Sequence, residues 1–141
     1  MIKIFQEENF FDSAVNQEYD NIVNVKAEYY MTLGYSKEIS YAVQDVDKDK
    51  SGVIYAKDGE TLVGFLMYNK KKIDRLIFDV FTCYCQSPDV YKHLYEYVEK
   101  LAKSLGCIYL NETIIVKDQI RIDNLESLGF KKEFCLMYKR V

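Results

Sequence analysis

Apolar positions recur along this chain with two different periods. Gln17 to Leu33 follows helical spacing, with Tyr19, Ile22, Val23, Tyr30 and Leu33 on one side and Gly34 as the stop. Ser36 to Val46 reads as a second, shorter helix. The clearest helical stripe comes later, where Val90, Leu94, Val98, Leu101, Ala102 and Leu105 line up and Gly106 ends the run. Lys117–Leu128 is a further helix, with Ile120, Leu125 and Leu128 inward and Gly129 as its stop, so that Phe130 packs back over the end.

The strand-like runs are Met1–Phe5, Val53–Ala56, Thr61–Tyr68, Ile73–Cys85, the short Cys107–Leu110 and a last one at Phe134–Lys139. Asp58-Gly59 between two apolar runs predicts a tight hairpin. Asn69–Lys72 turns the second arm of that hairpin into the long strand. The order is therefore strand, two helices, three antiparallel strands, helix, strand, helix, strand. That order predicts an α/β fold, a twisted and mostly antiparallel mixed sheet layered with helices. No repeat, low-complexity tract or linker interrupts the chain, so one domain over 1–141 is expected.

Composition narrows the function classes. Apolar residues make up 49% and charged residues 29%, as in an ordinary globular protein. A net charge of −3 lacks the basic face that general nucleic-acid binding needs, so no nucleic-acid partner is expected. The basic cluster Lys70-Lys71-Lys72 falls at a turn and reads as solvated. The longest apolar run, Leu62–Tyr68, is far too short to span a bilayer. The opening MIKIFQEENFF lacks the charged-then-apolar layout of a signal peptide, so the expectation is a soluble cytoplasmic protein without a membrane partner. Cys83 and Cys85 share one side of a strand, and with Cys107, Cys135 and the single histidine, His93, they read as small buried thiols and a helix residue, not a metal site.

One stretch carries cation chemistry of its own. Residues 47–58 match a calcium-loop pattern, with Asp47, Asp49 and Ser51 at positions one, three and five, Gly52 at six, and Tyr55 and Asp58 completing the candidate ligands. Against it stand the aspartate at position twelve, Gly59 directly after, and a strand-like run where a helix should follow. The competing reading is a polar turn entering a strand.

Residues 86–91, Gln-Ser-Pro-Asp-Val-Tyr, join the long strand to the clearest helix and hold the chain's single proline. Taken alone they make a complete helix start. Ser87 suits the N-cap, Pro88 the first helical position, and Asp89 complements the helix dipole.

The same region carries a resemblance. "YAKDGETLVGFLMY", "LYEYVEKLAKSLG" with Leu94, Ala102 and Gly106 in register, and "LESLGF" together resemble the GNAT superfamily, the Gcn5-related N-acetyltransferases. The likeness covers nearly the whole chain and is strongest from Val53 onward. It implies a GNAT-like fold with helices on both faces of the sheet, and transfer of an acyl group from acetyl-CoA to a small-molecule or peptide amine. It implies that the cofactor arm runs along the long strand at Val80, Phe81 and Cys83, as a peptide does in strand addition. Its diphosphate would then rest on the turn Gln86, Ser87, Asp89, Val90 and Tyr91 at the helix N-terminus.

Gln86 fits the first position of the family's phosphate loop, but Asp89 and Tyr91 fall where that loop has glycines. A carboxylate repels a diphosphate, a tyrosine ring would occupy its place, and Pro88 lacks an N–H. Leu125 stands where many members carry a proton-donating tyrosine, and Asp118 where they carry an asparagine. Asp79 and Glu112 are the candidate bases, with Asp74 a further carboxylate on the same run.

Thirteen tyrosines, with Tyr84, Tyr91, Tyr95 and Tyr97 near the turn, suit either a sheet core or an aromatic-lined cleft. Three function classes follow. The first is a GNAT-like acyltransferase whose acetyl-CoA binding is weakened or lost. The second is a catalytically inactive domain of the same fold that binds a macromolecular partner, a protein among them. The third is a calcium-binding module.

Overall fold

The computed structural model describes residues 1–8, 18–42, 51–115 and 117–132. The sheet is built around a hairpin. Strand β2, Ser51–Asp58, and strand β3, Thr61–Asn69, pair antiparallel, with Asp58 opposite Thr61. Gly59 and Glu60 alone make the turn. Gly59 has a φ of 61°, the value that the first position of such a two-residue loop requires and that glycine adopts without a Cβ clash.

Strand β1, Ile2–Glu7, adds antiparallel to β2, and β4, Ile77–Cys85, adds antiparallel to β3. Strand β5, Tyr109–Glu112, joins β4 parallel, which completes the order β1-β2-β3-β4-β5. A parallel pair needs a crossover, and helix α4, Pro88–Ser104, supplies it. The remaining helices are α1, Tyr19–Thr32; α2, Lys37–Ala42; the single turn α3, Lys70–Ile73; and α5, Gln119–Ser127. A mixed, mostly antiparallel sheet between helices is the fold class that the sequence pattern predicts.

Alternation along the strands builds two cores. Ile54, Ala56, Leu66, Tyr68, Phe78 and Val80 pack on one face with Val90, Tyr91, Leu94, Tyr95 and Val98 of α4. Val53, Tyr55, Phe65 and Met67 pack on the other face with Ile22 of α1. Gly64 lets α4 lie close to the sheet, because a Cβ there would stand 2.8 Å from Val90 Cγ1 and 3.2 Å from the Tyr84 carbonyl oxygen.

The structure corrects several expectations. Asn69–Lys72 is not a plain hairpin turn: the Asn69 side chain caps α3 by accepting from Lys71 N–H at 3.0 Å. The long strand consequently begins at Ile77, not at Ile73. Residues 107–110 do not form a buried strand, because Ile108 and Tyr109 are exposed. In α5 the inward residues are Arg121, Ile122 and Leu125, while Ile120 is 62% exposed.

Only part of the calcium-loop pattern lies within the described residues, and that part is extended. Ser51, Tyr55 and Asp58 lie in one regular strand, which spans about 24 Å at the usual rise per residue. Side chains strung along an extended strand do not converge on one ion; Ser51 and Tyr55 are buried, and Asp58 instead meets the N-terminal ammonium at 3.0 Å. Asp47 and Asp49, the end of the predicted second helix beyond Ala42, and the predicted strand Phe134–Lys139 lie outside the described residues.

Candidate active site

The sheet opens at one place. Pairing between β4 and β5 runs only from Ile77 opposite Tyr109 to Val80 opposite Glu112, with Thr113 N–H to the Val80 carbonyl at 2.9 Å as a last link. On its other side β4 stays paired with β3, but Met67 faces Thr82 while Tyr68 faces Val80. Phe81 is thus an extra residue, a bulge that bends β4 at the point where β5 leaves it. Residues Phe81–Cys85 keep a backbone edge with no strand beside it among the described residues. Such an edge presents N–H and C=O groups to an extended amide-bearing ligand.

Helix α4 begins at the end of that edge. The Ser87 side chain accepts from Val90 N–H at 3.4 Å, and the Ser87 carbonyl accepts from Tyr91 N–H at 3.2 Å. Of the amide positions in the first turn, Pro88 has no hydrogen and Val90 is turned to the cap. The Asp89 carboxylate lies 3.6 Å from His93 Nδ1 and is exposed. The turn therefore carries a negative charge where a helix start otherwise attracts anions.

Beneath the opening lies a buried polar cluster. Tyr95 Oη donates to Glu112 Oε1 at 2.5 Å, and Arg121 Nη2 donates to Glu112 Oε2 at 2.5 Å. Burial pushes the Glu112 carboxyl up to about 7, against the pull of Arg121 and Tyr95 toward the ionised form. Burial works against the Arg121 charge, yet Glu112 more than restores it. Arg121 Nε is buried and has no hydrogen-bond partner among the described residues. On the α1 side, Tyr29 Oη donates to Asp118 Oδ1, and the same oxygen accepts from Arg121 N–H at 3.1 Å. The Tyr29 ring also lies against Tyr84 of β4, with centroids 4.8 Å apart, so that one side chain links α1, β4 and the start of α5.

No family model matches the sequence, and no curated protein matches it. Solved structures match over the full length. Ribosomal-protein-alanine N-acetyltransferase from Brucella melitensis biovar Abortus 2308 superposes with a TM-score of 0.70 at 11% identity, covering all of both chains. An aminoglycoside N-acetyltransferase in complex with CoA gives 0.61 at 12%, covering 100% of this chain and 95% of that one. The chain has the GNAT fold. A transcriptional regulator from Bacillus halodurans C-125 also aligns over all of both chains, with a TM-score of 0.67 at 18% identity.

Within the GNAT fold the residues singled out from sequence separate into three groups. Val80 and Phe81 stand where the strands part, and Cys83 lies on the open segment with its side chain buried. Gln86, Ser87 and Asp89 form the turn, while Val90 and Tyr91 face into the core. The expectation that the Tyr91 ring covers the turn is corrected: the ring is 2% exposed and packs beside Tyr95, centroids 6.4 Å apart. Asp79 is already committed, accepting from Asn111 Nδ2 at 2.7 Å and facing Lys72 Nζ at 3.2 Å. Asp74 is exposed beside α3. Of the candidate bases Asp74, Asp79 and Glu112, Glu112 is the one in the buried cluster with Arg121 and Tyr95. Sequence reading missed Arg121 and Tyr29. A charged residue on an otherwise apolar helix face, three residues after an aspartate cap, is the signal that was available for Arg121.

Proposed function

We propose that this protein is an N-acyltransferase that uses acetyl-CoA, with cofactor affinity lowered at the α4 turn. The observation that carries this reading is the end of β4–β5 pairing at Val80, which leaves the Phe81–Cys85 edge beside the α4 N-terminus. That edge suits the amides of a pantetheine arm, and the unpartnered Arg121 Nε suits an acyl oxygen; the first turn of α4, with Pro88 and Asp89, suits a diphosphate poorly. The neighbours of this fold, two of them acetyltransferases by name, agree with the reading.

When bound, acetyl-CoA supplies an acyl carbon activated as a thioester. The chain's own contribution is binding along β4 and proton handling at Glu112. A carboxyl held up to about 7 takes a proton from an incoming amine near neutral pH, and Tyr95 and Arg121 fix its orientation. Asp79, bound to Lys72 and Asn111, is the weaker candidate for that role. The acceptor is a small-molecule or peptide amine. The test is a melting curve with millimolar acetyl-CoA: a ligand of the native state raises the midpoint, and no shift overturns the acyltransferase reading.

A second reading is a cofactor-free domain that acts by binding a macromolecule. Asp89 and Pro88 at the turn favour it, as does Leu125, which is 1% exposed and has no proton to give where an acid is expected. An absent acetyl-CoA shift together with capture of a defined partner supports this alternative.

A further inference from the structure

The buried end of α5 holds a donor that the fold does not use. Arg121 is 2% exposed, and its Nη2 is taken by Glu112, yet its Nε has no acceptor among the described residues. Leaving a buried N–H unmatched is costly, and native structures rarely do so without a use. Its surroundings say what kind of use. The guanidinium is held by Glu112, which stands opposite Val80 at the end of β5 and also accepts from Tyr95 of α4. It therefore lies on the inner side of the place where β4 and β5 separate.

The two carboxylates beside Arg121 already accept hydrogen bonds. Glu112 is held by Tyr95 and Arg121 itself, and Asp118 by Tyr29 and the Arg121 backbone. An oxygen brought in by a ligand completes the set. We infer that Arg121 is the acyl-group contact of this site, donating Nε–H to the carbonyl oxygen of a bound acyl thioester. This rests on the acyltransferase reading and adds to it the residue that tells an acylated cofactor from a spent one. Free CoA has the same arm and diphosphate but no carbonyl oxygen, so the contact discriminates substrate from product.

The test is binding by calorimetry, without any acceptor amine, of acetyl-CoA, free CoA and S-ethyl-CoA, a thioether lacking the oxygen. The wild-type chain is expected to hold acetyl-CoA about tenfold tighter than either of the others, the worth of one hydrogen bond to a charged donor. Arg121→Met should bring the ratio to about one while affinity for free CoA stays within about twofold. Because that change strands Glu112, the double variant Arg121→Met with Glu112→Gln serves as the folded control, with Glu112→Gln alone expected to keep the preference. Equal affinity of the wild-type chain for all three ligands overturns the inference but keeps a CoA site. A preference that survives in the double variant overturns it too. If none of the three ligands binds the wild-type chain, the acyltransferase reading itself falls and takes the inference with it.

Discussion

Arg121 and Glu112 form a salt bridge of 2.5 Å with only 3% and 4% of their side chains exposed. Such a pair offers little net stability over apolar residues of the same size, but breaking it from one side is costly. The carboxyl raised to about 7, from an ordinary 4.5, means that folding disfavours its ionised form. Its contribution to stability is therefore fullest below about pH 4.5, declines as pH rises toward 7, and is level above that. We expect Arg121→Met to lower stability by about 3 kcal/mol at pH 8 and by clearly less at pH 5, where Glu112 holds its proton. Urea unfolding at the two pH values checks this, and Glu112→Gln should flatten the slope between them. Equal losses for Arg121→Met at both values would rule out the linkage.

Lys26 stands on the inner face of α1 and is 1% exposed, with its ammonium 6.0 Å from the centre of the Tyr30 ring. Burial lowers its pKa to about 8. The unfolded chain thus binds this proton at a higher pH than the folded one, so stability falls as pH drops from about 10.5 to 8 and the penalty is complete below 8. Lys26→Met should therefore flatten the pH dependence of stability between about pH 8 and 10.5. Melting points across that range test it, and an unchanged slope would rule it out.

Gly64 is the contact point between β3 and α4. An added methyl meets Val90 and the Tyr84 backbone, and backbone cannot yield cheaply. Gly64→Ala should cost about 1–3 kcal/mol, the usual price of overpacking. A neutral change in denaturant midpoint would mean that α4 shifts outward without loss.

Asp89 sets an exposed carboxylate at the α4 turn, whereas the Tyr91 ring is buried in the core. Asp89→Asn should tighten CoA binding several-fold at low ionic strength, with the gain shrinking in 0.5 M salt because exposed charges are screened. Tyr91→Gly should lower stability strongly instead, since it empties a buried site in the main core. Calorimetry with CoA separates the two. Unchanged affinity in Asp89→Asn at low salt would show that charge at this turn does not limit binding.

Much of the architecture was legible before any coordinate. The α4 start was readable from Ser87, Pro88 and Asp89 because capping acts within one turn of chain. The hairpin at Gly59 was readable because a two-residue loop depends on its own φ values. The site was less legible. Helical periodicity assigned Ile120 to the core and passed over Arg121, since a hydropathy pattern places a charged side chain outside. The inward face of α5 holds an arginine because Glu112, nine residues away and at the end of a strand, waits there to receive it.

The chain alone determined its principal helices and strands, the α4 cap, the Gly59 turn and the class of sheet, because those follow from interactions among residues a few positions apart. Only the folded molecule decided that Tyr91 turns inward, that Asp79 is spent on Lys72 and Asn111, and that β4 parts from β5 after Val80. Each of these depends on which distant groups come to share a desolvated space, and the energy of a buried charge or an unpaired strand edge is set by those neighbours and not by its own sequence.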